Sequence, residues 1–314
     1  MIRWPFIRNL PREFHIDFVR LAPIAAVLSS LLVLGAIGSY FYQGLNLGID
    51  FRGGALIEVH NTQGPAPLAD LRKALPAAGG HDGQVQAFGS PDLAGVRFRT
   101  ENNSIAAAEA VRAKLQAKFP TIQFKEPVVV GAKVSGELLT GGFMALGIAL
   151  ALMLVYIWFR FQLQFGLGAV VAVFHDVALT LGLLSITQIE FSMTSIAALL
   201  TVIGYSMNEK VITFDRLREN LRKYKTTPLR DVINKSENER LSRTLITGTT
   251  AILALAGAFF FGGPVLFPLV STMVFGIFIG TYSSVYVALP IILLWGVRRN
   301  DDPAVPLKPA NVRP

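Results

Sequence analysis

The sequence contains no cysteine, which excludes disulfides, thiolate metal sites and thiol nucleophiles. Charge is the second scarcity: 16% of the 314 residues are charged, against 52% that are hydrophobic. A soluble domain of this size has no need for so much apolar sequence. No HExxH pattern, phosphate loop or carboxylate–histidine helix pair is present, so no catalytic residue, metal or cofactor is expected.

What is present is long apolar runs. A bilayer crossing takes about 20 residues, and six runs reach that length: Leu21–Tyr42, Leu138–Phe159, Phe165–Ile186, Phe191–Phe214, Leu241–Phe261 and Leu269–Trp295. The first is too long for a signal-peptide core. No A-x-A-like site follows it at Gln43-Gly44-Leu45, so it reads as an uncleaved span. The last follows Gly262-Gly263-Pro264 and Pro268, which allow a bend at its start. The pattern predicts an α-helical integral membrane protein with six transmembrane helices.

Basic residues in short loops set the orientation. The N-terminal tail carries Arg3, Arg8, Arg12 and Arg20; the segment 215–240 has eight basic and five acidic residues; Arg298 and Arg299 follow the last run. The hairpin Thr187–Glu190 has no basic residue. Both termini are therefore expected in the cytoplasm, and the net charge of +8 reads as a topology signal, not as nucleic acid binding. The expected division is a cytoplasmic tail at 1–20, a first helix at 21–43 and an extracytoplasmic domain at 44–137. Five further helices at 138–296 follow, with a cytoplasmic loop at 215–240, then a cytoplasmic tail at 297–314.

Within 44–137 the alternation and capping signals predict strands at Ala55–His60, Val85–Phe88, Gly95–Thr100 and Ile122–Val130, with helices at Pro67–Leu75 and Ser104–Lys118. Asn103 or Ser104 caps the second helix, which places Ile105, Ala108, Val111, Leu115 and Phe119 on one face. The order βαββαβ is the ferredoxin-like pattern. It suits a rigid binding or docking module, since a fold alone names no function. At its entrance stands "GIDFRGG", with Gly48, Asp50, Phe51, Arg52, Gly53 and Gly54. Its paired glycines suit a tight turn from membrane to strand.

Polar residues inside the runs stand out because a charge near a helix centre costs roughly 2.5–3.5 kcal/mol. His175 and Asp176 sit near the middle of the third run. They fit a proton path or a helix–helix hydrogen bond; adjacent residues diverge by about 100°, which disfavours a shared ligand. Asn208, Glu209 and Lys210 interrupt the fourth run. Lys210 has the stem length to snorkel, whereas Glu209 does not. Depth from the cytoplasmic face pairs Glu209 with Arg243, either as a structural salt bridge or as a proton relay. Thr272, Gly276, Gly280, Ser284 and Ala288 form a small-residue ridge at i, i+4 spacing for helix packing.

The ordered set "GIDFRGG", "HDV" at His175–Val177, "IGYSMNEKVITFDRLREN", "LSRTLITGTT", "FGGPVL" and "GTYSSVY" resembles the SecD/SecF family of protein-export membrane subunits, in the RND superfamily. The likeness covers nearly the whole chain. It implies an RND-like half-bundle in the bacterial inner membrane that uses the proton motive force to assist export on the periplasmic side. It also implies contact with a complementary SecD half, the SecYEG channel, YajC and YidC, translocating preproteins and membrane lipid, with no nucleic acid partner. The family's functional pair falls on Glu209 and Arg243, with Asn208 as hydrogen-bonding neighbour. The family usually reads Asn-Asp-Thr or Asn-Asp-Ser where this chain has Asn208-Glu209-Lys210. Rival readings are a proton-coupled RND-like exporter of lipid or small molecules, and a non-transporting membrane scaffold. An intramembrane enzyme is disfavoured, because "GYSMN" lacks the last glycine of GxSxG.

Overall fold

The computed structural model describes residues 14–88, 90–100 and 104–297. Arg3, Arg8 and Arg12, the capping candidate Asn103, Arg298 and Arg299, and with them most of both expected tails, lie outside the described residues. The protein is a mostly helical membrane bundle with one small sheet domain.

Helix α1 (Phe18–Gln43) starts at Asp17, whose carboxylate accepts the Arg20 amide at 3.0 Å. Asp17 also accepts from Asn234 at 2.7 Å, which ties the start of α1 to the fifth long helix described below. After α1 comes a single helical turn, α2 (Ile49–Arg52), then strand β1 (Gly54–Asn61). Gly54 has φ +127°, and a Cβ there would lie 2.7 Å from the Phe98 carbonyl oxygen, so only glycine lets the chain enter the sheet here.

The domain continues through α3 (Leu68–Ala78), β2 (His81–Phe88), β3 (Ser90–Arg99), α4 (Ile105–Lys118), β4 (Ile122–Phe124) and β5 (Val128–Val130). All strand pairs are antiparallel in the order β2-β3-β1-β4, with β5 continuing beyond β4 along the same edge of β1. The single expected last strand is thus two, separated by Lys125-Glu126-Pro127. Pro127 has no N–H for the ladder, which accounts for the break. Ile57, Val59, Val96 and Phe98 bury one sheet face against Leu71 and Leu75 of α3 and Val111 and Leu115 of α4. Ser104 caps α4 by accepting from the Ala107 amide. Ile105 does not join the buried face as expected; in the first turn it projects past the sheet and is 67% exposed.

The bundle is completed by α5 (Ala132–Arg160), α6 (Leu163–Thr187), α7 (Met193–Lys223), α8 (Leu229–Phe261) and α9 (Gly263–Ser283). Helix α9 passes through a π-helical turn (Ser284–Ala288) into α10 (Leu289–Trp295). Among the described residues five helical segments are long and apolar enough to cross a membrane: α1, α5, α6, α8, and α9 with its continuation. Helix α7 is a 31-residue helix, but its polar residues hold its hydropathy below that mark. It stands among the other helices with Ala198, Leu199, Ile203, Glu209 and Lys210 buried. Helix α8 begins at Leu229, so the second half of the expected cytoplasmic loop is helix continuous with the fifth span.

Close contacts between small residues set the packing. Gly182 of α6 lies against Ala36 of α1 so tightly that a Cβ would overlap it, and Ser39 and Ser185 hydrogen-bond across the same seam at 2.8 Å. On α9, Gly276 meets Val202 and Gly280 meets Ser206. Thr272, Ser284 and Ala288 are buried with them, so the small-residue ridge lies within this chain's own bundle.

Candidate functional site

Two buried polar clusters lie on adjacent faces of α7. Residues 209 and 210 point about 100° apart on a helix, so Lys210 turns toward α6 and Glu209 toward α8.

The first cluster is built around Asp176 of α6. Its Oδ2 accepts from Lys210 Nζ at 2.9 Å, from Ser283 Oγ at 2.7 Å and, in a very short contact, from Ser206 Oγ. Its Oδ1 meets His175 Nδ1 at 3.0 Å. Lys210 also donates to Ser283 Oγ at 3.0 Å and contacts Ser206. Lys210 is fully buried and does not snorkel as expected: its stem runs inward to a carboxylate that offsets its desolvation. His175 and Asp176 do meet each other, at 3.0 Å.

In the second cluster Glu209 faces Arg240, Thr244 and Glu237 of α8. Thr244 Oγ1 donates to Glu209 Oε2 at 3.1 Å, and Arg240 Nη1 approaches the same oxygen at 3.5 Å. Arg240 is held more firmly by Glu237, through Nε at 2.8 Å and Nη2 at 2.6 Å, and Nη2 also donates to Ser284 at 2.9 Å. The expected partner Arg243 is exposed. Three residues beyond Arg240 is a rotation of about 300°, which carries Arg243 off the buried face, whereas Thr244 returns to it. Asn208 is exposed too, one residue round the helix from Glu209, and does not join the cluster.

Glu237 was missed in the sequence because it fell in a presumed loop. The signal was there: Glu237 and Arg240 stand at i, i+3, the spacing of facing residues on a helix.

Adjacent residues connect the clusters twice, Glu209 with Lys210 on α7 and Ser283 with Ser284 where the π-helical turn begins. Such single-turn distortions often mark functional sites. Together the clusters set three carboxylates, Asp176, Glu209 and Glu237, against two basic side chains, Lys210 and Arg240. Two of their ionisable groups also have a buried atom without a hydrogen-bond partner among the described residues: Glu209 Oε1 and His175 Nε2. Orphaned polar atoms in a buried cluster call for an explanation, a bound water or a proton among them.

The "GIDFRGG" segment performs a different task. Asp50 accepts the Met193 amide at 2.9 Å and so helps cap α7, where Ser192 and Ser195 form a capping box. The Gly48 amide donates to the Phe191 carbonyl at 2.9 Å, and the Phe51 ring lies 5.4 Å from that of Phe191. Gly48 faces the Glu190 carboxylate so closely that a Cβ would overlap it. Arg52 is exposed. Glu190 in turn pairs with Arg97 of β3 at 3.3 Å. The motif therefore fastens the sheet domain to the hairpin between α6 and α7.

Burial pushes the Glu190 carboxyl above its ordinary range, with Arg97 opposing that and Asp50 adding to it. A carboxyl raised on folding contributes most stability below its unfolded value and loses it as pH rises through the folded value. The thermal midpoint of wild type relative to Glu190→Gln is therefore expected to rise as pH falls from neutrality toward the ordinary Glu range. A difference that instead shrinks as pH falls would place the ionised pair, not burial, in control, and a pH-independent one would mean that the two cancel.

Residues 110–298 match the family model of the SecD/SecF protein export membrane protein C-terminal region, and residues 43–60 match the SecD/SecF GG motif. The protein translocase subunit SecF of Cereibacter sphaeroides is 42% identical over 303 residues, which cover 93% of each chain. That of Rhodobacter capsulatus is 39% identical over 94% of this chain and 93% of its own. Among solved structures, SecDF of Thermus thermophilus, a translocon-associated membrane protein, superposes with a TM-score of 0.80 at 31% identity. The alignment covers 91% of this chain but 39% of that one, so this chain corresponds to about two fifths of SecDF. A SecDF structure in the super-membrane-facing form gives a TM-score of 0.67. Taken with the buried charge clusters and the "GIDFRGG" clamp, these likenesses show that the chain belongs to the SecD/SecF family as a SecF-type protein translocase subunit.

Proposed function

We propose that this subunit couples the proton motive force to protein export by binding and releasing a proton at Glu209. The observation that carries the reading is the uneven sharing of Arg240. Glu237 holds the guanidinium through two short bonds, while Glu209 touches it at 3.5 Å and leaves Oε1 without a partner. With three carboxylates facing two cations, one added proton neutralises the excess charge, and Glu209 Oε1 is the open oxygen among them. A proton there cancels the attraction to Arg240 and leaves Arg240 to Glu237 and Ser284. Ser284 opens the π-helical turn, so a change in the cluster reaches α9 and the serines that hold Asp176 and Lys210. One charge moved through the membrane potential is worth about 2.3 kcal/mol per 100 mV, enough to shift such an equilibrium.

The partner is SecD, supplying the complementary helices that SecDF carries in one chain. Arg243 and Asn208, exposed on this half, are then available to that partner. The working orientation has both termini in the cytoplasm of a bacterial inner membrane and the sheet domain in the periplasm, where it meets preproteins emerging from SecYEG, with YajC and YidC as neighbours. A test is complementation: this chain, expressed with its own SecD in cells depleted of both subunits, restores precursor maturation in pulse-chase. Failure to restore it while the two subunits co-purify at normal level would remove the export reading.

A further inference from the structure

We infer that this subunit holds an anionic phospholipid headgroup at the end of the bundle where α5 stops and α7 runs past it, the end assigned above to the cytoplasm. An open cavity of about 510 Å³ is lined there by Arg160, Asp215, Arg218, Glu219, Arg222 and Lys223. Both of its carboxylates are already engaged. Asp215 takes two bonds from Arg160, at 2.8 and 3.1 Å, and Glu219 is held by Arg216 at 2.6 Å. Arg218, Arg222 and Lys223 therefore have no carboxylate partner among the described residues.

Two guanidiniums are also brought together. Arg160 lies 4.8 Å and Arg218 5.7 Å from the centroid of the same buried Phe161 ring. Asp215 already offsets the charge of Arg160, which leaves the Arg218 guanidinium beside the same ring without a carboxylate, and a phosphate oxygen suits a guanidinium fork. The source of that phosphate is indicated by the residues that flank Arg160 in the chain. Trp158, Phe159 and Leu163, in the last turn of α5 and the first residue of α6, are 79%, 85% and 78% exposed. Exposed apolar residues at the same helix end as a basic pocket match acyl chains below a headgroup. A soluble anion has no use for them.

The test uses the full chain with Trp4→Phe and Trp295→Phe, leaving Trp158 as the reporter two residues from Arg160. It is reconstituted in phosphatidylcholine vesicles containing a minor fraction of acyl-brominated phosphatidylglycerol or, in parallel, acyl-brominated phosphatidylcholine. Quenching should show phosphatidylglycerol enriched about fivefold or more around Trp158. Arg218→Gln with Arg222→Gln should remove the contrast while leaving quenching by phosphatidylcholine and the helix signal unchanged. If that pair fails to fold, exposed Arg222→Gln alone should reduce the contrast. Equal quenching by both lipids in the reference chain, or a contrast that survives these substitutions, would overturn the proposal. So would its loss on adding inorganic phosphate but not sodium chloride at equal ionic strength, which would make the occupant a soluble anion. None of these readouts depends on export.

Discussion

Glu209→Gln is expected to stop proton-driven export, and Glu209→Asp to preserve it. Gln keeps the size and the hydrogen bond from Thr244 but can neither carry the charge nor accept a proton at the position of Oε1. If the lost coupling is about 2.3 kcal/mol per 100 mV for one charge, the bias between the two states falls by about 50-fold. Asp shortens the side chain by one methylene and lengthens contacts that are already loose, at 3.1 Å to Thr244 and 3.5 Å to Arg240. It retains the ionisable group. The measurement is the maturation rate of a secreted precursor in pulse-chase, in cells whose only copy is wild type, Gln or Asp, at matched membrane level and SecD association. Export by the Gln variant at the wild-type rate would move the proton to His175, whose Nε2 is the other orphaned atom, or to the partner chain.

The second large effect is expected at Lys210, and it is one of folding. Lys210→Met leaves the Asp176 carboxylate buried with serine and imidazole donors but without its lysine partner. Breaking a buried pair by removing one partner costs about 3–5 kcal/mol, whereas replacing both partners is often close to neutral. Lys210→Met should lower the thermal midpoint of the purified protein in detergent, and the pair Asp176→Asn, Lys210→Met should recover most of the loss. Without that recovery, the charges of Lys210 and Asp176 would be independent, contrary to the 2.9 Å contact between them. A double variant that folds but does not support export would separate the structural part of the pair from its part in coupling.

The clamp around "GIDFRGG" shows how local and long-range information divide. A turn at Gly53-Gly54 could be read directly, because adjacent glycines permit the positive φ values of +71° and +127° found there. That Asp50 caps a helix beginning at Met193 could not, since the two are 143 residues apart and nothing local marks either as the other's partner. The Arg97–Glu190 pair between the domain and the bundle was hidden for the same reason.

By itself the sequence determined the membrane class, the runs, the sheet domain with its two covering helices, and Asp176, Glu209 and Lys210 among the buried charges, but not Glu237 or Arg240. These follow from hydropathy, alternation and capping, which act over a few residues. It also marked the small-residue ridge on α9, because i, i+4 spacing is a local property. The choice of partners needed the tertiary structure. Depth alone pointed to Arg243, with Arg240 in the expected loop; the rotation of α8, fixed by its start at Leu229 and its packing on α7, brought Arg240 to Glu209 and turned Arg243 outward. Lys210 had the stem to reach the interface, but the nearby Asp176 of α6 held it inside, because a buried charge settles where a counter-charge offsets its desolvation.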